Sequence, residues 1–258
     1  MARAIRMEME RPSPALRSAP PFTWFFWGRW CRQGLWSPAG SRNSSSAGDN
    51  PSCASTVIRS IDPSPNTRLS REKLDLVNQD GVVMRCRYDG LVDRFLNEQA
   101  VFVVDSGATA FLPFWTYIVE SDITAVLREA GRRVYVQIPI SGGEMLNDTL
   151  LGFKTLAETA AEKSLIVWIN EYFGPVALDE KSFDQMQVYL DNQDKVVASV
   201  GIPERNRDTF GESIRLMREK KLTFEEAASS RDFGLMDRYR LDRVRRELFE
   251  QLEQTPFA

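Results

Sequence analysis

The sequence predicts an α/β fold, a doubly wound and mostly parallel sheet with a helical C-terminal third. Three observations predict it. Short apolar runs stand at Val101–Val104, Val134–Ile138, Leu165–Ile169 and Val196–Ile202, each bounded by polar residues, glycine or proline. Segments of helical period lie between them, and a parallel crossover needs about a dozen residues or more, which such segments supply. Beyond about residue 208 helical pattern alone remains.

The elements follow in order. Residues 1–56 are rich in Arg, Pro and Ser, crowd tryptophans between Trp24 and Trp36, and include the linker-like "SRNSSSAGDNPS". They are expected to be a disordered or aberrant segment, with the α/β domain spanning 57–258. Ser121-Asp122 is the expected cap of a short helix reaching Ala130. Leu146, Leu150, Phe153 and Ala157 share one face of the next helix, and Phe183, Met186, Val188 and Tyr189 mark a third. A helix is expected over Asp208–Lys221. Thr223-x-x-Glu226 then reads as a capping box, and a long helix is expected over about Asp232–Gln254. The arginines of that helix are followed by Glu247, Glu250 and Glu253, so a solvated face is expected.

Composition excludes several chemistries. The chain of 258 residues has no histidine, which removes Ser-His and Cys-His nucleophile pairs, imidazole zinc sites and imidazole acid–base work. Cys31, Cys53 and Cys86 have no metal or redox spacing, and a reducing, cytoplasmic compartment is expected. A net charge of −3 gives no direct nucleic-acid signal, and no apolar run approaches the ~20 residues of a membrane span. Glu8 and Glu10 argue against a transit peptide.

The candidate site begins at "VFVVDSGATAF", an apolar run ending on Asp105. Asp-Ser-Gly is also written in aspartic protease loops, but those need two carboxylates sharing a proton, and this chain has a single Asp-Ser-Gly in an α/β context. In open α/β sheets ligands bind beyond the carboxyl ends of the strands. Asp105 is therefore a candidate magnesium residue. Asn170, closing "SLIVWIN", offers an amide to a base edge, and Gly142-Gly143 would let backbone approach a ligand closely. Asp62 and Asn66 lie in the loop "IDPSPNT" after another apolar stretch and complete the set. Each has a structural alternative: strand-terminal Asp and Asn satisfy loop amides, and Gly-Gly makes turns. The phosphate-cradling Gly-x-x-x-x-Gly-Lys occurs nowhere in the sequence.

Six stretches, "DPSPNTRLSREKL", "VFVVDSGATAFLP", "GRRVYVQIPISGGEMLNDTLLGF", "IVWINEYFGPV", "KSFDQMQVY" and "RDTFGESIRLMREKKLTFEEA", resemble the TraL family of plasmid conjugal-transfer proteins, relatives of the ParA/MinD partition ATPases. The resemblance implies a P-loop NTPase domain of ParA/MinD type. It also implies ATP and Mg2+ as cofactors, proteins of the conjugal-transfer machinery as partners, and a possible nucleotide-dependent homodimer. By the same resemblance Asp105 positions magnesium, Asp62 belongs to the switch segment beside the terminal phosphate, and Asn170 reads adenine. The alternative class is a non-catalytic scaffold of the transfer or partition machinery, docking through its helical C-terminal third.

Two departures from the family follow. Relatives open with a first strand and a phosphate loop resembling Ile-His-Met-Val-Leu-x-Gly-Lys-Gly-Gly-Val-Gly-Lys, where this chain has "PFTWFFWGRWCRQGLW". Read one base early up to Arg29 and one base late beyond it, these codons are compatible with the family loop. The tract from about residue 20 to the mid-50s is thus expected to be a frame-shifted phosphate loop and first helix, leaving the domain 57–258 without its first strand and phosphate loop, the alternative being a genuine extension. ATP binding by the chain as it stands is accordingly in doubt. Ser60 stands where the partition ATPases carry an aspartate that helps hydrolysis.

Overall fold

The computed structural model describes residues 22–26, 55–61, 69–75, 84, 87–106, 108–220 and 222–255. The chain divides into two compact units, Pro20–Ile138 and one built on Pro139–Ala258, with the boundary inside a strand.

The first unit contains β1 (Phe22–Phe26), β2 (Ser55–Ile61), β3 (Leu69–Asp75), α1 (Arg87–Asn97), β4 (Val101–Ser106), α2 (Ala108–Glu120), α3 (Ile123–Glu129) and most of β5 (Arg133–Ser141). Its strands run in the order β3-β2-β4-β1-β5. β1 is parallel to both β4 and β5. The connection 107–132 holds α2 and α3, long enough for a parallel crossover. β2 is antiparallel to both β3 and β4. The β2–β3 connection, 62–68, is too short for a parallel return, so this part of the sheet departs from the parallel expectation.

A further departure lies in the N-terminal tract. Phe22–Phe26, inside the segment expected to lack order, is a parallel strand between β4 and β5. Aromatic residues fit a pleated interior strand, so "FTWFF" can take that position whatever the origin of its flanks. The remaining expectations for residues 1–21 and 27–54 fall outside the described residues.

The core of this unit is aromatic. α1 buries Tyr88, Leu91, Val92 and Phe95, the i, i+3, i+4, i+7 stripe of an amphipathic helix. Tyr88 lies against Phe114 of α2 at 4.7 Å between centroids, and Phe95 meets Phe102 of β4 edge-on at 4.9 Å. β4 is buried along its whole length, as a strand covered on both faces should be. Buried Arg132 closes the end of α1: its Nη2 donates to the carbonyls of Leu96 at 3.0 Å and Glu98 at 2.6 Å. A cation there complements the negative end of the helix dipole. Burial lowers the guanidinium's pKa. Asp122 does not cap α3 through its side chain. It sits in the left-handed region with φ 48°, not in the extended conformation typical of a capping residue.

The second unit contains α4 (Leu146–Thr159), β6 (Leu165–Asn170), a hairpin of β7 (Ala177–Leu178) and β8 (Lys181–Ser182), α5 (Gln187–Leu190), β9 (Val196–Ile202), α6 (Glu212–Glu219), α7 (Phe224–Ser229) and α8 (Leu235–Glu253). β6 and β9 are parallel. All four apolar runs read from the sequence are strands, namely β4, β5, β6 and β9. The expected helix around Phe183 is reduced to a 3-10 turn and the four residues of α5. The helix expected over 208–221 opens with a π turn, Arg207–Gly211, which Asn206 caps by accepting from the Asp208 N–H at 3.0 Å. The capping box is present as read: Thr223 Oγ1 accepts from the Glu226 N–H at 3.1 Å, and Glu226 Oε2 accepts from the Thr223 N–H at 2.8 Å.

α8 holds β9 at two points one helical turn apart. Gln251 accepts from the Gly201 N–H at 2.6 Å and donates to the Gly201 carbonyl at 3.1 Å, so its amide serves as a strand neighbour would. Glu247 pairs with Arg205, just past β9, and with Arg243. Burial alone would raise the Glu247 carboxyl, but the two guanidiniums together outweigh it and hold the carboxyl below its ordinary range. A depressed folded value means that the contribution is present above the unfolded value of about 4.3 and is lost as pH falls through the folded one. The melting-temperature gap between the chain and Glu247→Gln is therefore expected to narrow as pH is taken from neutral to below about 4. A gap independent of pH would contradict the pairing.

Candidate functional site

Asp105 is the fifth residue of the six in β4. It is buried, as is Ser106 beside it. Its backbone is registered to Phe26 of β1 on one side and to Val57 of β2 on the other. The carboxyl ends of β1 and β4 are thus level, and the chain leaves β1 one strand spacing from Asp105. Among the described residues, no three of His, Cys, Asp or Glu gather as metal ligands. Mg2+ keeps several waters and takes one or two carboxylates beside substrate phosphates, so such an ion does not call for a cluster of ligands.

Asp62 and Asn66 lie outside the described residues. Ile61, the residue before Asp62, is registered to Val101, at the opposite end of β4 from Asp105. At about 3.3 Å per residue the two positions stand roughly 13 Å apart along the strand. Ser60 is registered to Phe102, also toward that end.

The remaining candidates, Gly142, Gly143 and Asn170, meet in the second unit, where the loops leaving β5 and β6 interlock. The Gly142 N–H donates to the Asn170 carbonyl at 3.0 Å. The Asn170 side chain donates to Ser141 Oγ at 3.3 Å and accepts from the Tyr172 N–H at 3.3 Å, capping the turn Glu171–Phe173. Thr149 supports the loop from α4: its Oγ1 accepts from the Ser141 N–H at 3.2 Å and stands 2.9 Å from the Leu146 carbonyl. A Cβ on Gly142 would lie 2.0 Å from the Gly174 carbonyl oxygen and 2.6 Å from that of Pro175. On Gly143, whose φ is +69°, it would lie 2.7 Å from the Phe173 carbonyl oxygen. The close approach that these glycines permit is therefore to protein backbone.

Two curated relatives from Escherichia coli, each called Protein TraL, match this chain. One is 34% identical over 186 residues, covering 72% of this chain and 77% of the relative. The chain belongs to the TraL family. The second relative is 32% identical over 186 residues, with the same coverage. No family model matches, and no solved structure matches.

One polar residue of this TraL-family chain escaped the sequence reading. Gln137 sits in β5 with 1% of its surface exposed, registered to Phe26 from the side opposite Asp105. The signal was a lone amide inside "VYVQIPI", an otherwise apolar run. Among the described residues of this TraL-family chain, no helix is long and apolar enough to cross a membrane.

Proposed function

We propose that this chain is a nucleotide-binding switch protein of plasmid conjugal transfer, of the ParA/MinD ATPase type, impaired in ATP binding by its N-terminal tract. The observation that carries the reading is the level pairing of β1 with β4, with Phe26 opposite Asp105. In a P-loop domain the phosphate loop leaves the first strand, and ligands gather at the carboxyl ends of the parallel strands. Membership of the TraL family supports the transfer role.

On this reading Asp105 holds magnesium through water, and ATP is the nucleotide. Asn170 keeps an amide N–H beyond its capping bonds with which to meet a base edge. Gly142 and Gly143 would shape the loop beside it, while Asp62 and Asn66, which follow the end of β2 registered to Val101, are assigned no place beside the magnesium. The weak part is the phosphate grip, because the sequence has no glycine loop ending in lysine. Its amides and ammonium supply most of the phosphate binding in such sites. Ser60, in place of the hydrolytic aspartate, favours switching by binding over rapid turnover. The partners would be proteins of the transfer machinery, with a nucleotide-dependent homodimer as the switched state.

The missing lysine loop also favours a second reading, a non-catalytic scaffold of the same machinery. Restoring the family phosphate loop in place of the tract around Gly28–Gln33 separates the two. A monomer-to-dimer shift in sedimentation on adding ATP and Mg2+ is the outcome expected of the switch. A sedimentation profile indifferent to nucleotide favours the scaffold.

A further inference from the structure

We propose that the start of α8 is a docking surface for an acidic, amphipathic segment of a partner protein. α8 turns its apolar stripe to the core, burying Leu241, Val244, Leu248 and Leu252. Its opening turns carry a second apolar group on the outside. Leu235 is 83% exposed, and Met236 and Tyr239 are each 56% exposed. Tyr239 follows Leu235 by four residues and Met236 by three, so the three side chains share one face. Scattered single apolar residues are ordinary on a surface, whereas a contiguous group rimmed by polar residues marks a contact site.

Charge selects the occupant. From Arg231 to Arg246 six arginines stand against three aspartates, in a chain whose net charge is −3. Arg243 and Arg246 continue the exposed face beyond Tyr239. They pair with Glu247 and Asp242 along the helix, and exposed pairs of that kind hold weakly. An apolar group edged with arginines is complementary to a segment whose own apolar residues are flanked by carboxylates. A second copy of the chain is not complementary, because a two-fold contact would set this positive patch against itself. An anionic membrane suits it less: a helix lying in a bilayer surface needs an apolar face along its length, and farther along α8 Asp242, Glu250 and Glu253 are exposed. Three anchors are fewer than a standard interface uses, so the contact is a weak, exchanging one. The inference deepens the transfer-machinery reading by giving the partner's chemistry, and it rests on that reading only for where the partner is found.

Panning a random peptide library on the full chain without nucleotide tests it, so failure here leaves ATP binding to be judged separately. Peptides that bind the chain and not its Leu235→Ser, Tyr239→Ser variant are expected to be rich in Asp and Glu around apolar residues at helical spacing. For the strongest of them, the Kd read by fluorescence anisotropy should weaken at least about tenfold in that variant. It should weaken also in Arg246→Glu and on raising the salt concentration. All three positions are exposed, so both variants should melt with the parent chain. The absence of patch-dependent peptides, or patch-dependent peptides without acidic bias, would overturn the proposal. So would phosphatidylglycerol vesicles bound through the patch in place of peptide, or a dimer of the parent chain that the Leu235→Ser, Tyr239→Ser variant dissolves.

Discussion

Gly142→Val is expected to destabilise the chain by about 3 kcal/mol or more, at or beyond the upper end of the usual cost of overpacking. The backbone angle is not the cause, since φ at Gly142 is −72°. The cause is the 2.0 Å approach of any Cβ to the Gly174 carbonyl oxygen, with the Pro175 oxygen at 2.6 Å behind it. Both obstacles are backbone, so no side chain can swing aside. The loops must separate, which breaks the Gly142 N–H bond to Asn170 and disturbs the Asn170 cap. Gly90→Ala is the matching control. An added Cβ there meets nothing within 4 Å, and the site lies on exposed helix. Alanine in that setting is expected to stabilise by about 0.5–1 kcal/mol. Thermal unfolding should move the two variants in opposite directions; equal shifts would contradict the interlocked loops.

Phe153→Ala is expected to cost about 3–5 kcal/mol, a large part of the stability of an ordinary domain. Phe153 is fully buried on α4 and meets Phe183 edge-on, with centroids 5.3 Å apart and planes at 81°. Truncation loses the buried ring, leaves a cavity beside Leu156 and Ala157, and removes a favourable aromatic pair worth about 0.5–1.5 kcal/mol. Phe153→Leu keeps most of the volume and should cost well under half as much. Denaturant midpoints for the two variants check the ordering. Because the rings touch, the Phe153→Ala, Phe183→Ala pair should also fall short of additivity. A Phe153→Ala loss below about 1 kcal/mol would place the core of this unit elsewhere.

Much of the fold could be read from the chain because interior parallel strands leave a plain mark. Val101–Val104 and Leu165–Ile169 are continuous apolar runs since both faces are covered. α1 was equally legible in Tyr88, Leu91, Val92 and Phe95, and went unread. α2 was harder: it is apolar nearly all round and contains Pro113, so neither period nor propensity marks it as a helix. β1 was hidden by its setting, an aromatic run within a tract whose composition argues for disorder.

The candidate site was legible in part for a related reason. Asp105 could be singled out as a candidate because a carboxylate that ends an apolar run is conspicuous. The place of Gln137 could not be read, because its row with Asp105 across β1 is a matter of register, and register is not written in one strand. The Gly142-Gly143 pair carried two readings from the outset. Choosing between them required the backbone of Phe173–Pro175, which is distant in sequence.

The central claim is that the chain carries the magnesium side of a nucleotide site and lacks the phosphate grip. Calorimetric titration with Mg2+-ATP tests it most directly, using the chain itself, the chain with the family phosphate loop restored, and the restored chain with Asp105→Ala. The account predicts no saturation for the first at millimolar nucleotide. It predicts a magnesium-dependent Kd in the micromolar range for the second, about −8 kcal/mol, and loss of that binding in the third. A micromolar, magnesium-dependent Kd for the chain as it stands, or restored binding indifferent to Asp105, would contradict it.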